Sequence, residues 1–140
     1  METPYPHSTS TPITRQAMAQ ALKERDRLFS LPQAFYKSEE IFQAEMDEVF
    51  GKEWLFAGMT CEIPETGNFF TLEIGSNPVT VVRDQGGGIG AFHNVCRHRG
   101  SKLCLSKKGK VAKLVCPYHQ WTYELSGELI YAGNEMGESF

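Results

Sequence analysis

Two short pairs of residues carry the chemistry of this chain. Cys96 and His98 are one residue apart, Cys116 and His119 are two apart, and 17 residues from Arg99 to Val115 separate the pairs, giving the pattern C-x-H-x17-C-x2-H. Each pair offers one thiolate and one imidazole, donors suited to a transition metal. Each pair also follows a strand-like run, so two loop tips can close over one centre.

Two kinds of centre compete for such a donor set. Zinc accepts two Cys and two His, but its usual fingers pair Cys with Cys and then His with His, whereas here each loop carries one of each. The mixed pairing suits a Rieske [2Fe-2S] cluster, in which two cysteines hold one iron and two histidines the other. Neutral imidazoles then replace anionic thiolates on one iron, which raises the potential above that of an all-cysteine ferredoxin and makes a one-electron carrier. Spacing favours the cluster and leaves zinc open.

The stretch Asn94-Val95-Cys96-Arg97-His98-Arg99-Gly100, with Cys116-Pro117-Tyr118-His119-Gln120-Trp121-Thr122-Tyr123, resembles the Rieske domain of aromatic-ring-hydroxylating oxygenase α subunits over about residues 36 to 135. Within that family it is similar to the branch of choline monooxygenase and glycine-betaine demethylase-like enzymes, which oxidise quaternary ammonium compounds. Gln120 departs from the glycine most members carry there. The resemblance implies Cys96, His98, Cys116 and His119 as cluster ligands, a reductase or ferredoxin as electron donor, and a homo-oligomer, a trimer, as the full-length enzyme. It also implies a mononuclear Fe(II) held by two His and one carboxylate in a further catalytic domain. Beyond the four candidate ligands only His7 and His93 remain, so that iron is expected in a region missing from this chain. The alternative is a stand-alone Rieske ferredoxin, which would be expected to start near its first strand. Unlike the cytochrome bc-type Rieske proteins, the second loop has no further cysteine to form a disulfide, and Trp121 stands near where a serine hydroxyl would be expected. Both departures point to a potential at the low end of the Rieske range, about -150 mV.

The remaining candidates have plainer readings. Cys61 and Cys104 read as free structural thiols. Arg97 and Arg99 are either solvated surface residues or a docking patch for an acidic ferredoxin. His93 reads as a residue packed at a strand end, and Trp121 and Tyr123, two apart on a strand, as supports for the cluster loop. Gly86, Gly87, Gly88 and Gly90 lead into an apolar strand and not a helix, so they do not read as a phosphate-binding loop.

The elements that must position these loops follow from composition and period. With 140 residues, 41% hydrophobic and 22% charged, there is room for one globular domain. A net charge of -3 excludes a broadly nucleic-acid-binding surface. No window reaches the roughly 18 uncharged apolar residues of a membrane span, and Met1-Glu2-Thr3-Pro4 does not open a signal peptide. Cysteines at metal spacing without a leader predict a soluble protein of the reducing cytoplasm. Residues 1–13, with three Pro and a Ser8-Thr9-Ser10-Thr11 run, predict a disordered tail. Residues 14–53 predict a helical lead-in. One helix runs from Thr14 to about Phe29, closed by Pro32; a second, N-capped by Ser38, runs to about Lys52 with Phe42, Met46, Val49 and Phe50 packed on a sheet. Residues 54–135 predict strands at 54–57, 69–74, 79–83, 89–92, 110–115, 121–125 and 129–131. Together they make a mainly β fold, a small antiparallel sandwich or barrel preceded by N-terminal helices. Residues 136–140 are expected to begin the missing catalytic region.

Overall fold

The computed structural model describes residues 15–133, so the expected disordered tail at 1–13 and the expected start of a further region at 136–140 lie outside the described residues. The chain divides between Leu55 and Phe56 into two compact units, each described by itself.

The first unit is helical. Helix α1, Arg15–Glu24, buries none of its residues, in keeping with its thin apolar stripe. It stops short of Phe29 because Asp26 turns the chain: its carboxylate accepts the Leu28 N–H at 3.0 Å and its carbonyl the Phe29 N–H at 3.1 Å. Such local bonds compete with helix continuation. Pro32, expected to close a helix, instead precedes a short one, α2 (Ala34–Lys37), whose entry is marked by a Phe35 N–H to Pro32 carbonyl bond. Helix α3, Glu39–Glu45, begins as expected, with the Ser38 hydroxyl accepting the Ile41 N–H at 3.3 Å and Glu39 and Glu40 in the first turn. It then widens into a π-helical turn, Met46–Phe50, closed by Gly51 N–H on the Met46 carbonyl. The wider turn breaks the 3.6-residue phase on which the Phe42, Met46, Val49, Phe50 stripe depended. Ile41 is the buried residue, while Phe42, Val49 and Phe50 remain exposed.

The second unit is built of two antiparallel sheets. Strands β1 (Asn68–Ile74), β2 (Asn77–Arg83), β3 (Ile89–His93) and β4 (Lys108–Lys110) form the first, in the order β3-β2-β1-β4; β5 (Leu114–Val115), β6 (Thr122–Tyr123) and β7 (Leu129–Tyr131) form the second, in that order. Two expected strands change. Residues 54–57 pair with nothing in either sheet, and the edge beside β1 is taken by β4. The expected run 110–115 is cut at Val111 to Lys113, because Lys108–Lys110 pairs with β1 while Leu114 and Val115 pair with β6. Thr122–Tyr123 is likewise shorter than the run 121–125. The triple glycine lies in the β2–β3 hairpin, where the Asp84 carboxylate accepts the Gly88 N–H at 2.8 Å.

Alternation along β1 and β2 gives the first sheet two buried faces. The cross-strand pair Phe69–Val82 faces the larger core, which also contains Cys96, Cys104, Leu114, Cys116, Trp121, Tyr123 and Leu125; the neighbouring pair Phe70–Val81 packs with Ile63 on the other face. Gly67 joins this sheet to the break after β4. Its φ is +82°, and a Cβ there would lie 2.1 Å from the Val111 carbonyl oxygen, so no side chain fits. The candidate cysteines are therefore part of the core.

Candidate metal centre

The two loops are the same turn built twice. In the first, after β3, the Cys96 N–H donates to the Ser101 carbonyl at 2.8 Å and the Gly100 N–H to the Cys96 carbonyl at 3.0 Å. In the second, between β5 and β6, the Cys116 N–H donates to the Trp121 carbonyl at 2.8 Å and the Gln120 N–H to the Cys116 carbonyl at 3.0 Å. Each turn thus buries its cysteine at the base and lifts its histidine toward the tip. Cys96 and Cys116 are 1% and 2% exposed, whereas His98 and His119 are half-buried.

The four candidate residues come together as two pairs. Cys96 and Cys116 are both buried in the same core cluster, and the rings of His98 and His119 meet edge to face with centroids 4.7 Å apart. Burial pushes the Cys116 thiol up. The backbone N–H groups of Tyr118 and His119 outweigh this together with the Cys96 and Ser101 side chains, and the net shift is downward, toward the thiolate a metal requires. His119 Nδ1 is buried and has no hydrogen-bond partner, an arrangement a bound metal would satisfy. Among the described residues, no three or more His, Cys, Asp or Glu side chains converge as one metal ion would need. Two buried cysteines and an edge-to-face pair of imidazoles are a donor set that suits a two-iron cluster.

Trp121 and Tyr123 do more than back the second loop. The Trp121 indole, 2% exposed, stacks on His98 of the first loop at 4.8 Å and 6° from parallel. The Tyr123 hydroxyl lies 3.3 Å from Cys96 Sγ and accepts the Arg97 N–H at 3.2 Å. Burial, and then the Cys96 contact, push the phenol's pKa up to about 12. Two residues apart at the start of β6, both rings reach the other loop, and that spacing was the available signal. Asn94, which the sequence did not single out, is 1% exposed and bonded to Cys104.

The other candidates lie apart from these pairs. Cys61 is exposed and Cys104 buried, and both are free thiols. His93 ends β3 with its side chain exposed, not packed as expected, and Arg97 and Arg99 are exposed beside His98. A hollow of about 220 Å³ lies against the histidines, lined by His98, Tyr118, His119, Gln120, Trp121 and Gly133 among others.

The chain is 65% identical over 126 residues to the glycine betaine monooxygenase oxygenase subunit of Pseudomonas aeruginosa (strain UCBPP-PA14), covering 90% of this chain and 29% of that protein. Among solved structures, naphthalene 1,2-dioxygenase from Rhodococcus sp. matches 91% of this chain and 31% of its own, with TM-score 0.79 and 29% identity. The quaternary ammonium Rieske monooxygenase CntA with bound γ-butyrobetaine matches 78% of this chain and 32% of its own, with TM-score 0.72 and 35% identity. The chain therefore spans about a third of the length of these relatives. No helix among the described residues is long and apolar enough to cross a membrane. A family model described as the Rieske [2Fe-2S] domain matches residues 53–136, more than half of the chain and both cysteine–histidine turns, and the protein belongs to that family.

Proposed function

We propose that residues 54–135 are the electron-relay domain of an oxygenase acting on a small quaternary ammonium compound such as glycine betaine or choline. In this reading Cys96 and Cys116 hold one iron of a [2Fe-2S] cluster, and His98 and His119 hold the other. The observation that carries it is the two-and-two pairing: two cysteines buried in one core, and two imidazoles 4.7 Å apart with His119 Nδ1 unpartnered. When bound, such a cluster takes up and releases one electron at a time. The protein's share is to keep water from the sulfurs by burial in the Phe69–Val82 core, to fix the His98 ring against Trp121, and to leave the histidine edge open to the hollow. The substrate class rests on the names of the relatives at 65% and 35% identity.

The mononuclear Fe(II) and its catalytic domain belong, in this proposal, to the part of the relatives' length that this chain does not span. A reductase or ferredoxin supplies electrons, the full enzyme is a homotrimer, and it works in the cytoplasm, where Cys61 and Cys104 stay reduced.

The test is analysis of the purified chain for metal and visible absorption. Two irons and two sulfides per red-brown protein are expected, and a colourless zinc protein would overturn the reading. His98→Cys and His119→Cys should each lower the potential or lose the cluster, and an unchanged spectrum would show that the ligands lie elsewhere. Supplied with reductant, oxygen and glycine betaine or choline, the 140-residue chain should release no formaldehyde or betaine aldehyde. Catalytic turnover by this chain alone would overturn its role as a relay.

A further inference from the structure

The first loop leaves β3 at His93 and returns toward β4 past Cys104, and a single side chain joins the two ends. The Asn94 carboxamide donates through Nδ2 to the Cys104 carbonyl at 2.7 Å and accepts the Cys104 N–H through Oδ1 at 2.8 Å. Both residues are buried, Asn94 at 1% and Cys104 at 7%. The Asn94 N–H in turn donates to the Pro78 carbonyl at 2.8 Å, one step past the Val79–His93 pair that ends the β2–β3 ladder. A carboxamide is the side chain that offers one donor and one acceptor in a plane, as a backbone unit does. The Cys104 N–H needs the acceptor and the Cys104 carbonyl the donor, which fixes which way the amide points. Inside this neck the Cys96 N–H to Ser101 carbonyl bond closes a second, smaller ring that carries His98.

We propose that Asn94 is the positioning residue for the first loop: by pairing with the backbone of Cys104 it anchors the segment that sets Cys96 and His98 against the second loop. The inference rests on the assignment of Cys96 and His98 as ligands. Removing the carboxamide leaves a buried N–H and a buried carbonyl unpaired, and loss of a supporting residue around a metal site typically costs about 10–100-fold in metal affinity.

The experiment compares the whole chain with Asn94→Ala, Asn94→Asp and Val81→Ala, the last a core truncation on the far face of the first sheet. Asn94→Ala should give up its cluster at about 10–100-fold lower chelator concentration and broaden the electron paramagnetic resonance lines of the reduced cluster. Asn94→Asp, which sets a carboxylate oxygen against the buried Cys104 carbonyl, should be affected at least as strongly as Asn94→Ala, and Val81→Ala should unfold more easily with unchanged lines. Wild-type retention and lines in Asn94→Ala, or equal broadening in Val81→Ala, would overturn the proposal. Should Asn94→Ala fail to fold, amide exchange of the metal-free wild type decides: Cys104 N–H as protected as Val82 N–H supports the neck, and exchange at the rate of an open chain overturns it. A wild type that binds zinc would overturn the cluster reading while leaving the exchange result to judge the neck.

Discussion

Gly100 and Gln120 occupy the same place in matching turns, each four residues past its cysteine with its N–H on that cysteine's carbonyl at 3.0 Å, and only one of them is glycine. Their φ angles are +73° and +60°, and Gln120 is the sole non-glycine at positive φ among the described residues. A Cβ destabilises this left-handed conformation by about 1–2 kcal/mol. The turn therefore demands what glycine gives without strain, and the second loop meets the demand with a side chain.

Gln120→Gly should accordingly stabilise the second unit by about 0.5–1 kcal/mol, the relief of strain less the entropy a glycine adds to the unfolded chain. Gly100→Ala should destabilise it by a similar amount, although nothing lies within 4 Å of the added Cβ. Thermal unfolding of the two variants checks the pair. Shifts of the same sign would show that the loops are not equivalent turns.

Tyr123→Phe should lower the cluster potential. If Cys96 holds iron as proposed, its sulfur would have no proton to give, and across the 3.3 Å contact the phenol would be the donor. A donor to sulfur stabilises the reduced, more negative state. One hydrogen bond contributes about 0.5–1.5 kcal/mol, which for a one-electron couple is about 20–60 mV. The phenol also tempers the expectation of a potential near -150 mV, since the missing serine does not leave the sulfurs without a donor. Voltammetry of the variant decides, and an unchanged potential would show that the contact carries no hydrogen bond in the loaded protein.

Much of the centre was legible because its information is local. The spacing of Cys96, His98, Cys116 and His119 exposes the two loops, and hydrophobic alternation exposes β1, β2 and β3, which lie within a residue or two of their expected limits. What was not legible depends on partners far along the chain. The break at Val111 follows from Gly67, whose carbonyl accepts the Val111 N–H at 3.0 Å, and no local pattern announces that β4 and β5 serve different sheets. Asn94 opens the quoted first-loop stretch without showing a role until Cys104, ten positions later, is seen against it. The π turn after Glu45 is invisible for a related reason: its sequence has good helical period, and one wider hydrogen bond at Gly51 undoes it.

The stretch from Lys102 to Lys113 looks like a basic patch and is largely neutralised. Lys102, Lys108 and Lys110 pair with Glu73, Glu62 and Glu65 at 2.6–2.8 Å, and Lys113 pairs with Glu124. The lysine bonds hold the Glu62, Glu65 and Glu73 carboxyls below their usual range. A depressed carboxyl contributes stability that is present above its unfolded pKa and is lost as pH falls through its folded one. The melting temperature of the wild type should therefore drop more between pH 5 and pH 3, a window that reaches below the ordinary carboxyl value of 4.5, than that of a Glu62→Gln, Glu65→Gln, Glu73→Gln variant. Parallel acid profiles would show that these exposed pairs contribute nothing measurable.

With those lysines paired, Arg97 and Arg99 are the exposed cations beside the half-buried His98. Charges at such a site act mainly on encounter, because opposite potentials steer a partner over a distance set by the salt. Arg97→Glu with Arg99→Glu should slow reduction of the loaded protein by an acidic ferredoxin about tenfold at low ionic strength. The difference should fade toward 1 M salt, where screening acts within about 3 Å. Lys108→Glu, a charge change of the same sign on β4 at the edge of the first sheet, serves as the control and should leave the rate closer to wild type. Stopped-flow mixing across a salt series reads the slope. Equal slopes for wild type and the arginine variant would return both residues to the role of solvated surface side chains and move the docking site elsewhere on the domain.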